Sequence, residues 1–121
     1  MILFKDTVRI KRLTPDLKFI LNKLDEFHKV FITICPSDVV ITSINDSTHS
    51  ERSKHYVDEA IDIRSKNFEA WNKNAFVLEF SRYLNLYYAE PKFTVLLEGL
   101  NTPNEHFHIQ VKKGFTDAGK D

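Results

Sequence analysis

Two short stretches hold most of the residues in this chain that are equipped for chemistry. One runs Ser53-Lys54-His55 through Asp58 to Asp62, and the other is Glu105-His106-Phe107-His108. Residues 59–64 alternate, with Ile61 and Ile63 pointing one way and Ala60, Asp62 and Arg64 the other, as a half-buried strand does. Residues 107–111 alternate too: Phe107, Ile109 and Val111 share a face and leave His108 and Gln110 on the opposite one. If the two strands pair with their apolar faces together, Asp62 and His108 project from one surface. His55 then reaches that surface from the loop just before the first strand. Two imidazoles and one carboxylate make the ligand set of a catalytic zinc site, which keeps a fourth position for water. Zinc in such a site acidifies the water and polarises a carbonyl oxygen, the two requirements for hydrolysing an amide. Glu105, three residues before His108, is the expected general base, taking the water's proton and passing it to the leaving nitrogen. His106 is read as structural or solvent-facing, on the other side of the strand from its neighbours.

These residues resemble the zinc D-alanyl-D-alanine peptidases, which share a fold with lysostaphin-type endopeptidases and the hedgehog signalling domain. The family pattern S-x-H-x-x-G-x-A-x-D matches at Ser53, His55, Ala60 and Asp62, and the later E-x-W-H pattern matches at Glu105 and His108, with Phe107 for Trp. The string THSERSKHYVDEAIDIR looks especially like small phage and prophage members, in which a loop histidine precedes the ligand histidine by six residues; His49 fills that place. The resemblance spans roughly residues 37–111 and implies zinc ligands at His55, Asp62 and His108 with Glu105 as base. One departure stands out: the family glycine falls at Asp58. Asp tolerates a left-handed backbone better than most residues, and a carboxylate there can hydrogen-bond a ligand histidine. On the same polar loop His49, Arg52 and Ser53 are weaker candidates, as donors to a substrate carbonyl oxygen or carboxylate.

The elements that must position these groups are also legible. Thr14-Pro15-Asp16 suits a helix start, with a capping hydroxyl, proline at the first helical position and an acidic residue at the positive end of the dipole. Leu17, Ile20, Leu21, Leu24, Phe27 and Phe31 continue at spacings of three and four, and Pro36 bars further helix. His28 beside this stripe reads as a boundary or capping residue. A strand is expected at Val39–Ile44 and a polar loop over 45–54. A second helix over 67–86 carries so much apolar surface that it should be largely buried, and a late hairpin should join Phe93–Leu97 to Phe107–Val111. Tyr56, Tyr87 and Tyr88 read chiefly as packing residues. The expected class is α+β, one domain over residues 1–121, with a mostly antiparallel sheet, two main helices and the hedgehog/D-alanyl-D-alanine-peptidase arrangement that the resemblance implies.

Composition narrows the function classes. Seventeen Lys+Arg balance seventeen Asp+Glu, which argues against a nucleic-acid binder working by phosphate neutralisation and against a polybasic membrane anchor. Cys35 is the only cysteine, so neither an intramolecular disulfide nor a cysteine zinc cluster is available, and it reads as a small buried hydrophobe. The opening MILFKDTVRIKRL has no apolar run of signal-peptide length, and no run elsewhere approaches a membrane span. The expectation is therefore a protein made in the cytoplasm that reaches the bacterial cell wall or periplasm after release. The leading functional expectation is a zinc peptidase cutting peptidoglycan peptides, endolysin-like. A D-alanyl-D-alanine carboxypeptidase or dipeptidase is the second enzyme reading, and a zinc-stabilised binding module without activity is a third, from another class.

Overall fold

A computed structural model describes residues 1–9, 13–45 and 59–112. The chain is α+β, in the order β1 (Ile2–Phe4), α1 (Pro15–Val30), β2 (Val39–Asn45), β3 (Ala60–Arg64), α2 (Asn72–Asn85), β4 (Phe93–Glu98) and β5 (His106–Val111). The five strands form one sheet in the order β1-β2-β3-β5-β4, antiparallel throughout except for β1 beside β2.

The first helix forms where its start signals lie. Thr14 caps it by accepting from Leu17 N at 3.2 Å, and Pro15 follows at the first turn. Leu17, Ile20, Leu24 and Phe27 face the core. At the other end His28 Nε2 lies 3.0 Å from the carbonyl oxygens of both Pro36 and Ser37, tying the last turn to the chain that leads into β2.

The second helix is shorter than expected and buried along one stripe only, through Asn72, Phe76, Phe80 and Leu84. Residues 66–71 turn instead of continuing the helix, which lets Phe68 enter the core against Phe76 and Phe107. Trp71 and Leu78, on the remaining apolar side, are exposed. Apolar content thus overstated how much of this helix is covered: an abundance of apolar residues does not require all-round burial.

Strand β1 was not anticipated, being three residues long and paired in parallel, so that neither hairpin signal nor long alternation marks it.

Both helices contribute to one core. Phe27 packs on Phe76 and Phe80, and Phe76 on Phe107. From the sheet, Val39, Ile41, Ile44, Ile61, Ile63, Phe93, Val95, Phe107 and Ile109 complete it. Alternation along β3, β5 and β4 therefore turns Asp62, His106, His108, Leu96 and Glu98 to the opposite face. Asp62, His106 and His108 are half-buried there, while Leu96 and Glu98 are exposed.

The β4–β5 connection is closed by backbone geometry as well as by side chains. Gly99 has φ 66° and Asn101 φ 64°, and a Cβ at Gly99 would lie 3.0 Å from Thr102 Oγ1 and 3.1 Å from the Asn104 carbonyl oxygen. Thr102 N and Oγ1 both donate to the Gly99 carbonyl, at 2.9 and 2.6 Å. This turn sets the carbonyl of Asn104 and the start of β5. Among the described residues no helix is long and apolar enough to cross a membrane.

Candidate metal centre

The two central strands bring the chemistry together. In the antiparallel pairing of β3 with β5, Asp62 stands opposite His108 and Arg64 opposite His106; in that of β5 with β4, His108 stands opposite Leu96 and His106 opposite Glu98. His108 Nδ1 lies 2.7 Å from Asp62 Oδ1. His108 Nε2 lies 2.7 Å from Gln110 Oε1, two residues along the same face. The hydrogen bond to the Asp62 carboxylate, assisted by Gln110, raises the pKa of His108 to about 9 against the opposing effect of burial. A cation bound at Nδ1 must displace that proton.

His106 belongs to the same cluster. Its Nδ1 lies 2.7 Å from the Asn104 carbonyl oxygen, while Nε2 is 3.1 Å from Glu98 Oε1 and 3.8 Å from Asp62 Oδ1. One potential ligand atom from each of Asp62, His106 and His108 falls within 4.8 Å of the others. Zinc bonds of about 2.0–2.2 Å hold neighbouring ligand atoms roughly 3–3.6 Å apart, so small side-chain movements would close the set around an ion. The donor chemistry fits a borderline-soft divalent cation: two imidazoles and a carboxylate.

His106 is the residue that sequence reasoning set aside. Its signal was the H-x-H spacing itself, since residues two apart on a strand share a face. His108 was placed by alternation, and the same rule applied to His106 puts it on the surface that carries Asp62.

Glu105 lies elsewhere in the geometry. Its side chain is only 3% exposed. Oε1 accepts from Ser65 Oγ and Lys73 Nζ, both at 2.6 Å, and Oε2 accepts from Asn101 N at 3.1 Å. These bonds, Lys73's foremost, hold its pKa down to about 2. One carboxylate thus ties the end of β3, the first turn of α2 and the β4–β5 turn together. No hydrogen bond among the described residues joins it to Asp62 or His108. It does line the same open groove as Asp62 and His106, of about 500 Å³, whose rim also carries Lys5, Arg64 and Lys66.

His55, the expected third ligand, lies outside the described residues, as do His49, Arg52, Ser53, Tyr56 and Asp58. Tyr87 is exposed, whereas Tyr88 packs edge-on against Phe19 and Phe93. Cys35 is half-buried beside the core, and burial raises its thiol pKa to about 11. Compared with known proteins, the chain matches no family model, no curated protein and no solved structure.

Proposed function

We propose that this chain is a zinc-dependent peptidase acting on the peptide moieties of bacterial peptidoglycan, with a fold of the hedgehog/D-alanyl-D-alanine-peptidase kind. The observation that carries the reading is the in-register pair of Asp62 and His108, 2.7 Å apart on the open face of the sheet. It falls in a chain whose residues run Ser53, His55, Ala60, Asp62, Glu105 and His108 in the order and spacing of that family.

Asp62 and His108 would hold the ion together with His55. When bound, zinc supplies a Lewis acid for the scissile carbonyl and an acidified water. The chain's own contributions are positional. Gln110 fixes the ring of His108, as partners of ligand histidines do. Glu105, ionised at neutral pH, is the proton acceptor in this reading, and it acts in that role once its carboxylate turns from Lys73 and Ser65 toward the groove. Lys5, Arg64 and Lys66 give the groove a cationic rim that suits a peptide carboxylate.

That rim favours a second reading of the same centre, a carboxypeptidase trimming D-alanyl-D-alanine ends, because an end-cutting enzyme must recognise a terminal carboxylate. The two separate on one pair of assays. An endopeptidase solubilises crosslinked sacculi, whereas a carboxypeptidase releases free alanine and leaves turbidity unchanged.

The variant Glu105→Gln tests the centre. It should retain zinc while hydrolysis falls by about 100-fold or more, the range of a lost general base. Undiminished hydrolysis by the folded variant removes Glu105 from the mechanism. Absence of hydrolysis by the zinc-loaded wild-type protein, on both sacculi and soluble stem peptides, rejects the peptidase reading.

A further inference from the structure

We infer that His106 is itself a metal ligand, through Nε2, so that the two central strands carry a three-residue cation site of Asp62, His106 and His108. The inference rests on the proposed metal centre and changes its ligand set, adding a residue that the family pattern leaves unassigned.

The hydrogen-bond roles point there. Among the described residues His106 Nδ1 faces a carbonyl oxygen, that of Asn104 at 2.7 Å, which can only accept, so this nitrogen carries the proton and donates. In the neutral ring the lone pair is then on Nε2, which faces carboxylate oxygens of Glu98 and Asp62 at 3.1 and 3.8 Å. His108 repeats the arrangement with the nitrogens exchanged. Its Nε2 faces Gln110 Oε1, and its Nδ1 faces Asp62 Oδ1, each at 2.7 Å. His106 Nε2 and His108 Nδ1 are thus the ring nitrogens turned toward Asp62, and one ligand atom from each of the three residues lies within 4.8 Å of the others. A cation there would take the place of the proton that His108 Nδ1 shares with Asp62. A ligand histidine whose other nitrogen donates to a fixed oxygen is the usual outer arrangement of a metal site.

The backbone makes the placement firm. His106 and His108 are alternate residues of β5, which is paired on both sides, and Asp62 is in register on β3. The carbonyl of Asn104, which orients the His106 ring, is part of the turn pinned by Gly99, Thr102 and Glu105.

Zinc alone is the probe. The full-length protein, stripped with chelator, is titrated with zinc as wild type, His55→Ala and His106→Ala, with circular dichroism of each. Side-chain 15N–1H spectra of the histidines in the wild type provide a readout free of any substitution. The expected result is that His106 Nε2 and His108 Nδ1 both shift on zinc binding. His106→Ala should weaken zinc by on the order of 100-fold, at or above what loss of an outer-shell partner costs.

If zinc moves His108 and His55 but not His106 Nε2, the inference is overturned and the peptidase proposal stands with its family ligand set. If His106 shifts and His55→Ala binds zinc as wild type does, the inference holds and the family ligand set is replaced. If wild-type protein takes up no zinc, both fall together.

Discussion

At the scale of single residues, Glu105 is held by three hydrogen bonds, from Ser65, Lys73 and Asn101. Its folded pKa of about 2 lies below the ordinary 4.5, so folding favours its ionised form. The stability it contributes is fully present above about pH 4.5 and drains away as pH falls through 4.5 toward 2. Acid titration of the unfolding free energy should therefore be steeper for wild type than for Glu105→Gln below pH 4.5. Superimposable slopes would show that the Lys73 and Ser65 bonds do not hold in solution. The substitution itself should lower stability by about 2–3 kcal/mol at neutral pH, since it leaves the largely buried Lys73 without its counter-charge. Hydrolysis by this variant must therefore be measured below its own unfolding range. Cys35 makes a simpler case. With its thiol raised to about 11, it should alkylate far more slowly than free cysteine at pH 8, because only the thiolate reacts. Labelling with iodoacetamide followed by mass spectrometry checks this, and a rate equal to that of free cysteine would contradict it.

At the scale of elements, α2 and β4 are joined by one side chain. Asn85 Oδ1 accepts from the backbone N of Lys92 and Phe93 at 2.8 and 2.9 Å, and its Nδ2 donates to the carbonyls of Ser81 and Phe93. Asn85→Ala removes the side-chain acceptor of the Lys92 and Phe93 N–H groups and should cost about 2–3 kcal/mol, read as a lower urea midpoint at unchanged slope. A loss under half of that would mean that water replaces the amide. The elements also show which features were readable in the sequence. Thr14-Pro15-Asp16 and the stripe from Leu17 to Phe27 announced α1, because caps and periodicity are local signals. Alternation over 59–64 and 107–111 announced β3 and β5 and so brought Asp62 to His108. The short parallel β1 and the turns before α2 depend on tertiary partners, which no local pattern encodes. His106 was legible in principle, through the same spacing of two that located His108. The burial of Glu105 was not, because it hangs on Ser65 and Lys73, each remote in sequence.

At the scale of the whole molecule, the sheet divides the chain into a side packed with phenylalanine rings and a side set with imidazoles and carboxylates. An ion bound on the second side would link β3 to β5, and binding to the folded state alone would raise stability by mass action. With free zinc at a hundred times its dissociation constant the gain is about 2.7 kcal/mol, or roughly 10 °C in melting temperature for a domain of this size. Thermal unfolding with zinc and with excess chelator measures it, and identical curves would argue that no ion binds. The pair that creates this link is separated by 46 positions along the chain. Its members meet only after β3 and β5 have docked. An ion that needs both partners would therefore report on a long-range event in folding. Stopped-flow refolding followed by cobalt absorption would consequently time the docking of the sheet's centre, independently of helix formation watched by circular dichroism.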